Sequence, residues 1–135
     1  MMIRPRTLLA LLLFLSPLGC GSDTDGESTV AVFNTSLGSF DVKLYPGLAP
    51  LAVENFRIHA QNGYYDGTIF HRVIPTFVIQ GGAPEGNGTG GESIWGTPFE
   101  DEFDDARRFD RPGRLGMANS GPGTNRSQFF GTTKA

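Results

Sequence analysis

Arg72 stands out in this sequence because it interrupts a run of β-branched and aromatic residues that covers residues 70–79. In a β-strand, side chains alternate between two faces, which would place Arg72 on the same face as Phe70 and Ile74 and opposite His71. An arginine is almost never buried without a partner. The sequence therefore predicts a guanidinium that donates hydrogen bonds inside an apolar cleft.

Several other side chains could complete such a site. Glutamine and asparagine amides both donate and accept hydrogen bonds, which suits the backbone of a bound polypeptide, and apolar side chains could wall a pocket. The candidates are the amides Gln80, Asn119 and Gln128 and the apolar residues Phe77, Val78 and Phe130. A catalytic triad is not indicated, since His59 and His71 are the only histidines and Cys20 is the only cysteine.

Five short motifs follow one another along the chain. They are Tyr-Asp-Gly-Thr-Ile-Phe-His-Arg-Val-Ile-Pro at residues 65–75, Gln-Gly-Gly at 80–82, Gly-Thr-Gly-Gly-Glu at 88–92, Phe-Glu-Asp-Glu at 99–102 and Ser-Gln-Phe-Phe at 127–130. In type and order they resemble the cyclophilin family of peptidyl-prolyl cis/trans isomerases. The similarity extends over about residues 30–133, and no common alternative family has this ordered set.

The resemblance implies a mainly β fold, an eight-stranded antiparallel barrel capped by two helices, together with isomerase activity. By position, it implies that Arg72 is catalytic and that Phe77 and Phe130 line the pocket for the proline ring. The residues implied to bind the substrate backbone and the residue before proline are Gln80, Ala118, Asn119 and Gln128. Val78 stands in the pocket wall where Met is usual, and Arg126 stands at the rim of the adjoining pocket where Gly is usual. No cofactor and no metal is implied.

Isomerisation of an X–Pro bond requires little covalent chemistry from a catalyst. Resonance gives the C–N bond partial double-bond character, and twisting the bond turns the proline nitrogen into a better hydrogen-bond acceptor. A catalyst therefore needs a donor near that nitrogen, an apolar pocket and anchors for the flanking backbone. Arg72 offers a permanent charge and a fork of donors. From the pattern alone, a structural ion pair between Arg72 and an acidic residue is an equal alternative.

The N-terminal segment has the pattern of a targeting signal. Arg4 and Arg6 precede an apolar stretch at residues 8–15 that is too short to span a bilayer. With Cys20 and the polar residues after it, the segment is similar to a bacterial lipoprotein signal whose cysteine thiol carries the lipid. An ordinary secretory signal with an incidental cysteine is the alternative. The predicted organisation is a signal peptide at 1–19, a flexible tether at 20–28 and a partial isomerase domain at 29–135.

Length and composition agree with this organisation. The chain has 135 residues, 11 Lys and Arg, 14 Asp and Glu and a formal net charge of −3, which argues against nucleic acid as the main partner. A single cysteine excludes an intrachain disulfide. We expect a monomer whose partners are proline-containing polypeptides. It would face the periplasm or the cell exterior in a bacterial envelope and meet the membrane only through its lipid.

Hydrophobic patterning supplies the elements that would position the site. Alternating residues and turn signals predict strands over 29–35, 40–44, 68–73, 77–80, 115–119 and 128–132. A period of 3.6 residues predicts one helix over 51–62, with Pro50 at its start and Gly63 just past its end. Many short strands and one helix indicate an antiparallel β-barrel or sandwich.

The family pattern continues beyond the last residue of this chain, with further strands and a second helix. We therefore expect a cyclophilin-like barrel that is incomplete at its C-terminus and retains one helix. Three hypotheses follow: a prolyl isomerase for exported proteins, a module that binds proline-containing segments without turnover, and an inactive truncated remnant.

Two further patterns have a simpler interpretation. Residues 86–91 match the Gly-x-Gly-x-x-Gly fingerprint, but no helix start follows, so the sequence predicts a turn-rich loop. The acidic residues at 100–105 lack the spacing of a calcium-binding loop and are interpreted as a solvated surface. His71 has no partner at metal spacing and is interpreted as a packed or hydrogen-bonded strand residue.

Overall fold

The computed structural model describes residues 2–5, 29–105 and 107–134. Over these residues the chain forms seven strands and one helix. In chain order they are β1 (Met2–Pro5), β2 (Thr29–Thr35), β3 (Gly38–Leu44), α1 (Pro50–Gln61), β4 (Arg72–Ile74), β5 (Val78–Gly81), β6 (Leu115–Met117) and β7 (Phe129–Thr132). The predicted mainly β architecture with antiparallel strands and one helix is confirmed.

The described strands form two antiparallel sheets. One has the order β1-β2-β3, and the other has the order β4-β5-β7-β6. The hairpin of β2 and β3 pairs Thr35 with Gly38 at the turn and Thr29 with Leu44 at the far end, as the alternation predicts. In the second sheet, β7 comes from the end of the chain and lies between β5 and β6.

Helix α1 begins and ends where its sequence signals indicate. Pro50 occupies the first turn, where its missing N–H costs no hydrogen bond. Gly63 follows the helix with φ of +72°, the left-handed conformation that glycine adopts without a steric penalty. Of the predicted apolar face, Val53, Phe56 and Ala60 are buried, and Ala52 is half-buried.

An aromatic cluster forms the core between α1 and the two sheets. Phe33 from β2, Phe56 from α1, Phe129 from β7 and Tyr65 from the loop after α1 are all buried. Their rings meet at centroid distances of 5.2 to 5.8 Å in stacked, tilted and edge-to-face arrangements. Such ring pairs stabilise beyond the burial of their area.

The predicted strand over 68–73 is too long. Only Arg72–Ile74 pairs with a neighbouring strand, since the Thr68 hydroxyl and N–H both donate to the carbonyl of Tyr65 and close a turn. Local side-chain bonds of this kind compete with a sheet ladder. The alternation therefore fails here: Phe70 packs edge-on against the core ring of Phe129, whereas Arg72 is exposed.

The connection between β4 and β5 is a tight turn that contains Phe77, which the sequence had placed in a strand. The Phe77 N–H donates to the Ile74 carbonyl at 3.1 Å, with Pro75 and Thr76 between them. Thr76 has φ of +59°, which is an unfavourable conformation for a β-branched residue. This strained turn determines the position of Phe77, which directly precedes β5.

Most of the predicted targeting segment lies outside the described residues, including the apolar stretch, Cys20 and the tether. Of the predicted signal peptide, Met2–Pro5 is described and forms β1, which pairs with β2 and buries Ile3 to 1% exposure. Among the described residues, no helix has the length and apolar character needed to cross a membrane.

Candidate active site

Three neighbouring strands bring the central site residues into one row. Arg72 on β4 lies directly opposite Gln80 on β5, and Gln80 lies directly opposite Phe130 on β7. Residues directly opposite each other in an antiparallel pair project to the same side of the sheet. We call this side, which faces away from the aromatic core, the outer face. The sheet register thus joins three residues that the sequence separates by up to 58 positions.

Hydrogen bonds connect this row to a loop. The Arg72 guanidinium donates to Gln80 Oε1 at 3.2 Å, and Gln80 Nε2 donates to Gln128 Oε1 at 3.0 Å. Gln128 Nε2 in turn donates to the carbonyl oxygens of Gly88 and Gly90, both at 3.1 Å. We call the Arg72–Gln80–Gln128 chain the amide relay and residues 82–91 the glycine-rich loop.

The surroundings of Arg72 differ from the expectation in one respect. Its side chain is exposed on the surface rather than enclosed in an apolar cleft, with Val73, Ile74 and Phe77 exposed nearby in the chain. The alternative of an acidic partner is not what the structure shows: within the described residues, no carboxylate lies at ion-pair distance from Arg72. The guanidinium is held by a neutral amide and keeps its charge.

The predicted apolar residues are placed differently from one another. Phe77 is 54% exposed, and its carbonyl accepts a hydrogen bond from the Thr133 N–H at 2.9 Å. Val78 is two residues before Gln80 on β5, so it projects to the same outer face, where it is only 3% exposed. Phe130 is half-buried, and its ring lies 4.9 Å from that of Phe109.

Phe109 is an aromatic wall that sequence reasoning missed. It lies in a segment of charged residues, and its ring covers Gly116, where a Cβ atom would come within 2.5 Å of the ring. Gly116 pairs with Phe130, so Phe109 and Phe130 meet on the outer face. An isolated phenylalanine among charged residues was the one available signal.

Ala118 and Asn119 extend the site along the end of β6. The Ala118 N–H donates to the Gln128 carbonyl at 2.9 Å and prolongs the β6–β7 ladder. The exposed Asn119 side chain bonds within the chain, because its amide donates to Asp101 and Asn125, both at 3.0 Å. Its Oδ1 accepts a hydrogen bond from the Gly121 N–H at 3.3 Å.

A buried polar group fixes the base of the amide relay. The Ser127 side chain is fully buried, and its hydroxyl donates to the Gly82 carbonyl at 2.7 Å. The Tyr65 hydroxyl donates to the Ser127 carbonyl at 3.0 Å. Burial raises the pKa of Tyr65 far above its usual range, so this hydroxyl stays protonated as a donor. The residue beside Gln128 is thus held from two directions.

His71 supports the glycine-rich loop from below. Its ring atoms pack against Gly88, where an added Cβ would lie 3.1 Å from the ring. Both ring nitrogens are buried without a hydrogen-bond partner, so the imidazole is packed rather than bonded. Burial lowers the pKa of His71, and the positive charge of Arg72 lowers it further. The ring is therefore neutral at pH 7.

Two of the predicted surface carboxylates have structural roles, contrary to their interpretation as a solvated face. Glu102 accepts hydrogen bonds from the N–H groups of Leu51 and Ala52 at the start of α1, at 3.0 and 2.9 Å. Asp101 accepts bonds from Asn119, Asn125 and the Gly123 N–H. No group of three His, Cys, Asp or Glu residues within the described ranges has the geometry to hold a metal ion.

Two cavities lie away from the amide relay. The larger, about 380 Å³, is lined by parts of β3, α1 and β6 and by residues 99–104, and the smaller is about 160 Å³. Neither is lined by Arg72, Gln80 or Phe130. The larger cavity is, however, also lined by Phe109 and Asn119, which border the outer face.

A family model described as "Cyclophilin type peptidyl-prolyl cis-trans isomerase/CLD" matches residues 30–135. The chain belongs to this family. The matched range contains the whole amide relay, Phe77, Phe130 and the glycine-rich loop. The family assignment made from the short motifs is therefore confirmed.

Individual cyclophilins show how far the likeness extends. The chain is 60% identical over 103 residues to peptidyl-prolyl cis-trans isomerase 9 of Schizosaccharomyces pombe, which covers 76% of this chain and 17% of that protein. It is 59% identical over 105 residues to a putative peptidyl-prolyl cis-trans isomerase of Staphylococcus aureus, covering 78% of this chain and 52% of the relative. The chain thus spans about a sixth and about half of the length of these relatives.

Solved cyclophilin structures share the fold. A cyclophilin type peptidyl-prolyl cis-trans isomerase of Cryptosporidium parvum superposes with a TM-score of 0.78 at 42% identity, over 80% of this chain and 68% of that chain. The same enzyme in the presence of the dipeptide Ala-Pro gives a TM-score of 0.75 at 43% identity.

Proposed function

We propose that this protein is a peptidyl-prolyl cis/trans isomerase that binds X–Pro segments on the outer face. The observation that carries the proposal is the row of Arg72, Gln80 and Phe130 on three paired strands, extended to Gln128 by the amide relay. It places a cation, hydrogen-bonding amides and an aromatic ring side by side. Family membership and the Ala-Pro dipeptide used with the Cryptosporidium enzyme support the same substrate class.

In the proposed mechanism, the proline ring packs against Phe130, Phe109 and Phe77, and the backbone before it pairs with Gln128 and the end of β6. As the C–N bond twists, the proline nitrogen loses conjugation and gains a lone pair that can accept a hydrogen bond. Arg72 donates to that nitrogen while Gln80 holds the guanidinium in place. No proton changes hands, because arginine stays charged throughout.

The required fall in the activation barrier is compatible with the contributions named in this mechanism. Uncatalysed isomerisation takes about tens to hundreds of seconds. Turnover at about 1–10³ s⁻¹ requires the barrier to fall by roughly 3–7 kcal/mol. A charge-assisted hydrogen bond that strengthens in the transition state contributes about 1.5–3 kcal/mol. Exclusion of water from the twisting amide and its distortion on binding would supply the remainder.

The cellular setting is part of the proposal. The protein would act as a monomer on exported polypeptides, and the lipoprotein-like pattern around Cys20 supports a lipid anchor in a bacterial envelope. Metabolic labelling with a palmitate analogue tests the anchor: the wild-type chain should carry label, and Cys20→Ser should not. A labelled Cys20→Ser variant, or an unlabelled wild-type chain, would contradict it.

Arg72→Ala and Arg72→Lys test the catalytic assignment. NMR exchange on an Ala-Pro peptide should show a fall in kcat/KM of about ten- to a hundred-fold for Arg72→Ala. Arg72→Lys should recover only part of this loss, since a lysine ammonium lacks the planar fork of donors. Arg57→Ala is the matched control, because Arg57 is on α1 and bonds only to Gln61 among the described residues.

NMR exchange and binding, together with thermal unfolding, separate the two other hypotheses. Peptide binding without exchange in the wild-type chain would favour a binding module. Absence of a cooperative thermal unfolding transition would favour an inactive remnant. Equal exchange rates for the wild-type chain and Arg72→Ala would contradict the proposed mechanism.

A further inference from the structure

The chain leading into β7 presents alternate side chains to two environments. Asn125, Ser127 and Phe129 are buried at 3%, 0% and 1% exposure, whereas Arg126 is exposed and Gln128 is half-exposed. Side chains two residues apart in an extended chain project to the same side. Arg126 therefore continues the outer-face series that Gln128 and Phe130 begin.

The backbone of Arg126 is fixed from beneath. Its carbonyl accepts a hydrogen bond at 2.8 Å from the amide of Asn55, which is fully buried in α1. Asn55 is held in turn by the Ile94 N–H, which donates to its Oδ1 at 3.0 Å. The exposed guanidinium thus projects from a rigid base.

The guanidinium of Arg126 lies along the same loop that receives Gln128. Its Nη1 donates to the Gly91 carbonyl at 3.4 Å, while Gln128 Nε2 donates to the adjacent carbonyl of Gly90. A contact of 3.4 Å is weak, and a guanidinium has five N–H donors. In the described part of the chain, no carboxylate, including that of Glu92, is within ion-pair distance of Arg126. Its charge is free to meet a ligand.

A polypeptide on the outer face would reach this charge. From Phe130 to Arg126 the chain makes four steps, which span at most about 13 Å in extended geometry. A bound extended peptide rises by the same amount per residue. With proline at Phe130, the side chains two to four residues before proline therefore come within reach of the Arg126 guanidinium.

We propose that Arg126 is a specificity-determining residue that favours substrates with Asp or Glu two to four residues before the proline. The inference rests on the proposed function for the placement of proline, and it adds a substrate class to the same site. An acidic side chain would supply the carboxylate that Arg126 lacks within its own chain. A lysine at the same position would be disfavoured.

The test uses alanine-based peptides with one proline and with Glu, Gln or Lys at the second, third or fourth position before it. The exchange rate and the Kd of each peptide are measured by NMR with the full chain. At the best position, kcat/KM for the Glu peptide should exceed that for the Gln peptide by about two- to five-fold, the range of an exposed ion pair. The Lys peptide should rank last, and added salt should reduce the differences.

Two variants and one control make the result specific. Arg126→Gln should abolish the preference, and Arg126→Glu should invert it in favour of the Lys peptide, which a poorly folded variant could not do. Arg57→Gln changes the net charge equally on α1 and should keep the wild-type ratios. Equal kcat/KM for the three peptides at all positions, with exchange present, overturns this inference alone. If no peptide is isomerised, the proposed function is contradicted. In that case the Kd values decide the inference about Arg126: equal Kd values for the Glu, Gln and Lys peptides, or no binding of any of them, overturn it as well.

Discussion

At the scale of single residues, Arg72 fixes the hydrogen-bond direction at one end of the amide relay. A guanidinium can only donate hydrogen bonds, so the carbonyl oxygen of Gln80 must face it and the NH₂ group must face Gln128. Gln128 then accepts from Gln80 and points its own NH₂ group at the carbonyls of the glycine-rich loop. The charge of Arg72 at one end and the loop carbonyls at the other thus favour the same orientation of the two amides.

Gln80→Glu tests this dependence. A carboxylate would accept a stronger, charge-assisted bond from Arg72 but could not donate to Gln128. We expect kcat in the NMR exchange assay to fall by about ten-fold, since a charge-assisted bond would hold Arg72 away from the proline nitrogen.

Gln61→Glu is the matched control for this substitution. Gln61 is an exposed residue at the end of α1 that accepts a hydrogen bond from Arg57 at 3.0 Å. The Gln61→Glu substitution introduces the same charge away from the outer face, so the kcat of this variant should match that of the wild-type chain. An unchanged kcat in Gln80→Glu would show that the orientation of Arg72 does not limit the rate.

The sequence identified the three residues of the row, but it did not predict the hydrogen-bond partners of every site residue. Arg72, Gln80 and Phe130 were singled out from local motifs, and the sheet register brings them together. Asn119 is predicted to bind the substrate backbone, and in the structure its side chain also donates to Asp101, 18 positions away. A local motif contains no information about such a long-range partner.

At the scale of elements, the segments with a regular period were predicted well. The bounds of β2 match the prediction, and those of α1 differ by one residue at each end, because alternation and helical spacing are properties of adjacent residues. The strand predicted from residue 68 begins only at Arg72, since a turn at Tyr65 takes up the hydrogen bonds of Thr68. Pairing of β1 with β2 joins segments about thirty residues apart and has no local signature.

Asn55 is a sequence signal from which a polar contact of α1 could be predicted. It lies on the buried side of α1 together with Phe56 and His59, so a polar residue interrupts the apolar face. A buried amide requires hydrogen-bond partners. The helix therefore had to meet polar backbone groups at that point, and these are the Arg126 carbonyl and the Ile94 N–H.

Glu102→Gln is predicted to weaken the start of α1. The carboxylate binds two free N–H groups there, at a helix end that carries partial positive charge, and no side chain within the helix caps it. Glutamine keeps the shape but loses the charge and one acceptor. We expect the free energy of unfolding, from urea titration at pH 7, to fall by about 0.5–2 kcal/mol.

Glu54→Gln provides the comparison, because Glu54 is exposed on the same helix. Its free energy of unfolding should change by no more than about 0.5 kcal/mol, as for surface substitutions in general. If the two variants were equally stable, the contacts of Glu102 would contribute nothing beyond those of an ordinary surface carboxylate.

At the scale of the whole molecule, the two sheets have different functions. The β1–β2–β3 sheet and α1 enclose the aromatic core, and the inner side of β7 contributes Phe129 to it. The outer face of β4, β5 and β7 carries the amide relay. Ser127 and Asn55 connect the two parts, so the stability of the core and the geometry of the site share the same buried hydrogen bonds.

The two histidines make the stability of the folded chain depend on pH. Burial lowers the pKa of His59, although its bond to the Glu92 carbonyl and the charge of Glu92 oppose this change in part. Burial and Arg72 lower the pKa of His71. In the unfolded chain both histidines titrate near pH 6.5. Below that pH the unfolded state binds more protons than the folded state, so the free energy of unfolding must fall as the pH decreases.

His71→Phe isolates the part of this effect that belongs to the glycine-rich loop. Both ring nitrogens of His71 lack a partner, so phenylalanine loses no hydrogen bond and keeps an aromatic ring against Gly88. At pH 7.5 the variant should be at least as stable as the wild-type chain in urea, and between pH 7.5 and 5.5 it should lose less stability. Carboxylates titrate mostly below this window, so they contribute little to the difference. An NMR titration that gave His71 in the folded chain a pKa at or above 6.5 would contradict the prediction, because its ring would then bind a proton as readily as in the unfolded chain.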